Sequence, residues 1–412
     1  VANTMLVTSH AIPNANTWQT PPTSGMTQAF QVMSGIEMIQ VSYALQAASG
    51  ATGTKRATDL GPDAVDVGNA QILALRPAVS VNHYAIGVLS TSVANCDFAQ
   101  VTVTAHDAAH ASVNPPSSRI VTLSTSVGTG VWQPALVAGA GTWTPSGLNN
   151  GVATYQWSGT ESSFTVRLRQ SAVTNLSVNL SDNAAITETG TEDPTISFAN
   201  SAFRISTGAN AALAIGPQIA AKASNVAPGS QNLFLQAIRT DTTTGACTSL
   251  FPSGSDVAIQ VGAQCNNPAT CTQSVTLTTT SPAGNSGSFV PNGAFPATIN
   301  FRFTTANAEA PFLFSYADAG QITLQFLAAL PSPPAGVFVS GTSNALVVRP
   351  FGFFLSGAGI PGVTGPGGAV FKKAGENFNV IVAAVAWQAG DDLNNDGVPD
   401  SGANLSDNAV LP

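Results

Sequence analysis

Gly, Pro, Asn and Asp punctuate this chain at short intervals, and the stretches between them alternate apolar and polar positions. Glu37 to Leu45, Val101 to Ala105, Ser163 to Leu168, Asn175 to Leu180, Val257 to Val261 and Ser274 to Thr280 are such runs. A period of two turns every second side chain to one face of a strand, whereas a helix needs apolar residues three and four apart, a spacing that is nearly absent here. Turn chemistry between short strands favours antiparallel sheets packed face to face over a parallel sheet with crossover helices. The expected fold class is all-β, with tandem β-sandwich domains of jelly-roll and immunoglobulin-like type.

A chain of 412 residues exceeds what one hydrophobic core usually serves. Residues 1–78 read as the end of a jelly-roll-like β domain: Met38 to Leu45 and Ala70 to Arg76 are strands joined by a long loop with Gly and Asp, and Arg76-Pro77 ends the pattern. Residues 79–206, opening at His83-Tyr84-Ala85-Ile86, have the strand spacing of an immunoglobulin-like sandwich. Residues 207–350 read as a sandwich carrying a cysteine cluster. Residues 351–412 open a further β domain that stops short.

Charged residues are only 8% of the chain, against roughly 25% in ordinary soluble domains. The net charge is −8 and Lys occurs only at Lys55, Lys222, Lys372 and Lys373, so a phosphate backbone finds little to attract it and nucleic acid is not an expected partner. No apolar run is long enough to make a transmembrane helix, even around Ile381 to Trp387. The chain opens without an initiator Met or a basic-then-apolar leader, as a mature or excerpted chain would, so export is an inference. Cys247, Cys265 and Cys271 cluster while Cys96 stands apart, leaving three connectivities open. One disulfide drawn from the cluster is expected in a charge-poor extracellular protein, with free thiols as the alternative. Cys265 and Cys271 are too widely spaced for a zinc knuckle, and no His flanks them.

The sharpest chemical pattern is Asp392-Leu393-Asn394-Asn395-Asp396-Gly397-Val398-Pro399-Asp400. Oxygen donors at the first, third, fifth and ninth positions, Gly at the sixth and the Val398 carbonyl suit a structural Ca²⁺ loop. The expected metal ligands are Asp392, Asn394, Asp396, Val398 and Asp400, with Asp391 or Asp407 completing the set; Ala403 stands where an EF-hand has its bidentate Glu. The plainer reading is a hydrated Asx-rich turn. His106 and His110, four apart, could share a metal on a helix, but the strand-like Val101-Thr102-Val103-Thr104 leads straight into them and puts both on a turn. No Gly-x-Ser-x-Gly elbow precedes a helix. Glu161, Glu188, Glu192 and Asp193 qualify for glycoside chemistry by type alone. Trp132, Trp143, Trp157 and Tyr155 could form a sugar-stacking platform, though sandwich cores commonly need such residues as filling.

The runs Leu235 to Asp241, Gly245-Ala246-Cys247, Cys265 to Cys271, Tyr316-Ala317-Asp318-Ala319-Gly320, Val348 to Phe353, Phe371 to Phe378 and Asn404 to Ala409 occur in a fixed order. In these the chain resembles MshQ-like proteins over roughly residues 80 to 412. They are large predicted surface proteins encoded with the mannose-sensitive haemagglutinin type IV pilus. The resemblance implies export, a β-rich architecture and a role in attachment, and no active site. The expected protein is a non-enzymatic, extracellular adhesin or pilus-associated attachment protein, its partners cell-surface or pilus components, carbohydrate, or further copies of itself. The alternative is a structural subunit of a self-assembling filament or sheath, which low charge and edge strands would suit.

Overall fold

The alternation of the sequence becomes strand pairing almost throughout the computed structural model. It describes residues 4–13, 18, 25–35, 37–46, 51–52, 55–58, 60–61, 69–75, 80–189, 192–207, 214–227, 231–281, 283–304, 309–330, 337–356, 377 and 379–412. Among these the one helical piece is the short 3₁₀ turn Ala389–Asp391. The chain divides into two units, Val1–Ser80 and Val81–Pro412.

The first unit holds one antiparallel sheet in the order Thr27–Ser34, Glu37–Gln46, Thr4–Ile12, Asn69–Leu75. One face buries Leu6, Ile12 and Met38, with Trp18 packed on the latter two. Register gathers apolar side chains on the other face: Met5 lies between Leu45 and Leu75, and Val7 between Tyr43 and Leu73. Met5, Tyr43, Leu45, Leu73 and Leu75 are all exposed there. Among the described residues of this unit no second sheet covers that face. Arg76-Pro77 lies outside the described residues.

The second unit opens with a sandwich of two four-stranded sheets. One runs Thr142–Pro145, Ala153–Gln156, Ile120–Thr125, Val178–Asp182, the other His83–Val88, Ala99–His106, Ser163–Arg169, Val131–Trp132. Asn175 to Leu180, a single run in the sequence, divides at Ser177: Thr174–Leu176 pairs with Ile196–Ala199, and Val178–Asp182 with Ile120–Thr125. Trp132, Trp157 and Tyr155 are buried, with Tyr155 stacked 3.8 Å from Phe164 between ring centroids and Trp143 packed at the edge of the same core. Three of these aromatics fill the sandwich, and Trp143 stays half-buried at its edge.

A second sandwich follows after a single residue, Asn200. Its sheets run Ser201–Ser206, Leu233–Thr240, Glu309–Tyr316, Val275–Thr280, Ala283–Phe289 and Gln218–Ile219, Leu346–Arg349, Gly320–Ala329, Asp256–Asn267, Ala297–Arg302. Phe301, Phe312 and Phe326 meet edge to face at its centre. Ser201–Ser206 pairs with Leu233–Thr240 and buries Phe203 and Ile205 here. The sequence boundary after Ser206 thus moves back to Asn200, because the run's alternation could not say which core it serves. Beyond residue 350, Gly352–Ser356 pairs with Ile381–Val385, while Ala386 and Leu411 join the core of the second sandwich. The Phe371 to Phe378 motif, apart from Asn377, lies outside the described residues.

Candidate functional site

The two sandwiches of the second unit are stitched together where the chain passes between them. Cys96, from the turn after Ser92–Ala94, forms a disulfide with Cys247, 151 residues away. The cysteine that seemed isolated in the sequence is therefore the partner of one in the cluster, and Cys265 bonds to Cys271. Ala94, Cys96, Ala202 and Ile238 make a small apolar seam. Around it, Arg204 Nη1 bridges to Asp97 Oδ2 at 3.0 Å and its Nε donates to Gln236 Oε1 at 2.6 Å. The Cys96 amide donates to Thr240 Oγ1 and the Thr91 amide to Thr342 Oγ1, each at 3.1 Å. Thr240 Oγ1 in turn donates to Asn95 Oδ1.

In the loop expected to hold calcium, the first acidic residue pairs with a lysine. Asp392 is buried and its Oδ2 lies 2.5 Å from Lys222 Nζ, itself only 3% exposed. Trp387 Nε1 donates to the same oxygen at 2.8 Å, and the Gly397 amide to Oδ1 at 3.1 Å. Burial works to raise the Asp392 pKa, but hydrogen bonds from Lys222, Trp387 and Gly397 and the Lys222 charge outweigh it and hold the carboxyl below its ordinary value. Asp396 Oδ1 accepts from the Val398 amide, Asn394 Oδ1 from the Asp396 amide, and Asp400 Oδ2 from the Leu393 amide. Val398 is exposed. The five residues share one turn, in which one side-chain oxygen each of Asn394, Asp396 and Asp400 accepts from a backbone amide and Asp392 turns inward to a lysine 170 residues away.

The sequence puts His106 and His110 on a turn; in the structure His106 ends the strand Ala99–His106 and His110 lies in the turn that follows. The antiparallel register sets His83 opposite His106. Asp107 Oδ1 accepts from the Ala109 and Ala111 amides, closing a turn that holds His110 at φ 62° and folds it back to 4.3 Å from the His106 ring. Along the other edge of His83–Val88, the Tyr84 amide donates to the Thr187 carbonyl and the Ile86 amide to that of Glu192. Glu192 Oε1 lies 2.9 Å from His110 Nε2, and Oε2 lies 3.4 Å from His83 Nε2. Burial, followed by the charge of His110, holds the His106 pKa below its ordinary value. The sequence marked Glu192 only as an acid by type and His83 only as the opening of a strand, because only backbone pairing brings them to this corner. The other acids named by type are structural: Glu161 accepts from Tyr155 Oη and the Ser158 amide, Glu188 accepts from the Leu180 amide, and burial raises the Asp193 pKa.

Residues 181–342 match a family profile described as "Domain of unknown function (DUF6701), first Ig-like domain", and residues 349–412 match the second domain of the same family. These two stretches are DUF6701 domains. The first match begins in the last strands of the first sandwich and takes in most of the second. No curated protein matches the chain in sequence. Among solved structures, the Yersinia pseudotuberculosis adhesin InvE is 13% identical with a TM-score of 0.19, over 64% of this chain and 60% of that one. The Escherichia coli adhesin FdeC is 14% identical with a TM-score of 0.23, over 82% and 86%. Invasin, a bacterial integrin-binding protein, is 12% identical with a TM-score of 0.21, over 87% and 55%. The chain thus spans less than two thirds of InvE and of invasin.

Within the DUF6701 stretches the ordered motifs serve turns and junctions. Asp241 Oδ1 accepts from the Thr243 and Thr244 amides and turns the chain toward Cys247. Buried Asp318 accepts from the Ala319 amide in the turn between two core strands, and burial raises its pKa. Arg349 Nη2 donates to the Gly397 carbonyl at 2.9 Å, and Asp391 Oδ1 accepts from the Asn404 amide. Both contacts lie within the second stretch, and the Lys222–Asp392 pair ties it to the first.

Proposed function

We propose that this protein is an extracellular, non-enzymatic surface protein that works in attachment, with residues 81–412 acting as a cross-braced spacer. The observation that carries this reading is the seam: a disulfide, an ion pair and an apolar contact lock two sandwiches that only one residue separates. A hinge there would cost a spacer its reach. Two disulfides among four cysteines suit an oxidising compartment, and a charge-poor surface suits contact with other surfaces at little cost from like-charge repulsion. The resemblance to MshQ-like proteins supports a link to pili, with cell-surface or pilus components, carbohydrate or further copies as partners. Electron microscopy and cell-binding measurements on the exported protein test the reading. Discrete particles that bind cells or pili are expected. Ordered polymers would favour the filament or sheath subunit, and substrate turnover would overturn the non-enzymatic assignment.

A further inference from the structure

We propose that His83, His106, His110 and Glu192 bind a divalent transition-metal ion, with zinc the best match to the donors. Three of the chain's four histidines meet here. Among the described residues this is the one group of three or more His, Cys, Asp or Glu side chains whose ligand atoms all lie within 4.8 Å of one another. Three imidazoles and a carboxylate suit zinc and its neighbours, whereas calcium and magnesium want oxygen.

The hydrogen bonds around the cluster set its tautomers. His83 Nδ1 faces Asn82 Oδ1 at 3.2 Å and must donate to it, so neutral His83 presents a lone pair at Nε2. His110 Nε2 donates to Glu192, which leaves the lone pair of neutral His110 at Nδ1. Those two nitrogens face each other at 3.1 Å. Two lone pairs so close repel unless something positive lies between them. The edge of a tetrahedron with zinc bonds of about 2.0–2.1 Å is ~3.3 Å, which matches this separation and the 3.4 Å from His83 Nε2 to Glu192 Oε2. His106 brings the third imidazole, and its buried Nδ1 has no hydrogen-bond partner.

Outer partners hold the donors in place, as they do in built metal sites. The Asn82 amide donates to the His106 carbonyl, so the residue that orients His83 is fixed to the strand bearing His106. Thr189 Oγ1 donates to Glu192 Oε2 at 2.9 Å. Glu192 also borders a groove of about 310 Å³ lined by Thr102, Thr104 and Asp193, which gives an ion a way in. Four protein ligands make a closed site, structural in kind, that ties Glu192 to the edge of the sheet.

The test uses tag-free protein stripped with a chelator, titrated with Zn²⁺ against a chromophoric competitor and with Co²⁺ by visible absorption. One ion per chain is expected, with a tetrahedral Co²⁺ spectrum. His83→Gln, His106→Gln and Glu192→Gln should each weaken zinc binding by roughly 10–100-fold or more, while His10→Gln leaves it unchanged. Metal-free melting curves of the variants should overlay the metal-free wild type, which separates lost ligation from lost folding. Absence of stoichiometric zinc binding by the wild type, or affinity untouched by His83→Gln and Glu192→Gln, overturns the assignment and leaves a proton as the charge shared by His83 and His110.

Discussion

Tyr43 lies on an inner strand of the first unit's sheet and Phe312 on an inner strand of the second sandwich, yet Tyr43 is 40% exposed and Phe312 is 1% exposed. Both strands have their backbone partners on each side. Among the described residues, what Tyr43 lacks is a facing layer. Pairing satisfies the backbone, but burying apolar surface takes a second sheet, and that burial supplies most of the stabilisation. The sandwiches of residues 81–412 have such layers, and the described part of residues 1–80 shows one sheet with an open apolar face.

Substitutions in both regions sharpen or break this comparison. Phe312→Ala removes one of three interlocked rings and should cost about 3–5 kcal/mol in chemical denaturation; a loss near zero would mean the second sandwich is as loosely layered as the first unit. Asp392→Asn strands Lys222 in a buried site and should cost nearly as much, about 3–5 kcal/mol, whereas the double change to Lys222→Met and Asp392→Leu should recover most of it. Because the folded pKa of Asp392 is depressed, its contribution is present above the unfolded value, about 3.9, and is lost as pH falls through the folded value. Acid titration of Trp387 emission reads this directly. Millimolar calcium belongs in the same experiment. A melting midpoint that rises in the wild type and not in Asp396→Ala would make the loop a cation site as well, and an unchanged midpoint leaves Lys222 as its counter-charge.

Replacing Cys96 and Cys247 by Ser should lower the stability of residues 81–412 by about 2–5 kcal/mol, while the emission of the buried Trp132 and Trp157 stays native at low denaturant. Separate unfolding of the two sandwiches in that variant would show that the seam depends on the bridge. Leu45→Thr, on the open face of the first unit, should change stability by less than about 0.5 kcal/mol; a larger loss measured by Trp18 emission would mean that the face is covered in solution.

The period-two runs predicted strands well because alternation is a local property: Val101 to Ala105 lies within Ala99–His106, and Ser163 to Leu168 within Ser163–Arg169. The buried aromatics were legible for the same reason, since strands that alternate need large side chains between them. Pairings between distant residues were not legible. Cys96 with Cys247, Lys222 with Asp392 and His83 with Glu192 are each separated by a hundred residues or more, and no short spacing encodes them. The acidic loop has the local spacing of a cation site, but the lysine that pairs with Asp392 comes from another part of the fold and could not be read from that spacing.

The Cys96–Cys247 bridge also governs how the chain answers a pull. Force applied along the chain from outside the bridge travels through the sulfur atoms and bypasses everything enclosed between them, which includes most strands of the first sandwich and the first strands of the second. With 151 residues of separation and about 3.3–3.6 Å of reach per extended residue, roughly 500 Å of contour length stays locked while the bond holds. A chain with this wiring can lose its outer strands under load and still keep that enclosed length in reserve, until a reductant reaches the sulfurs.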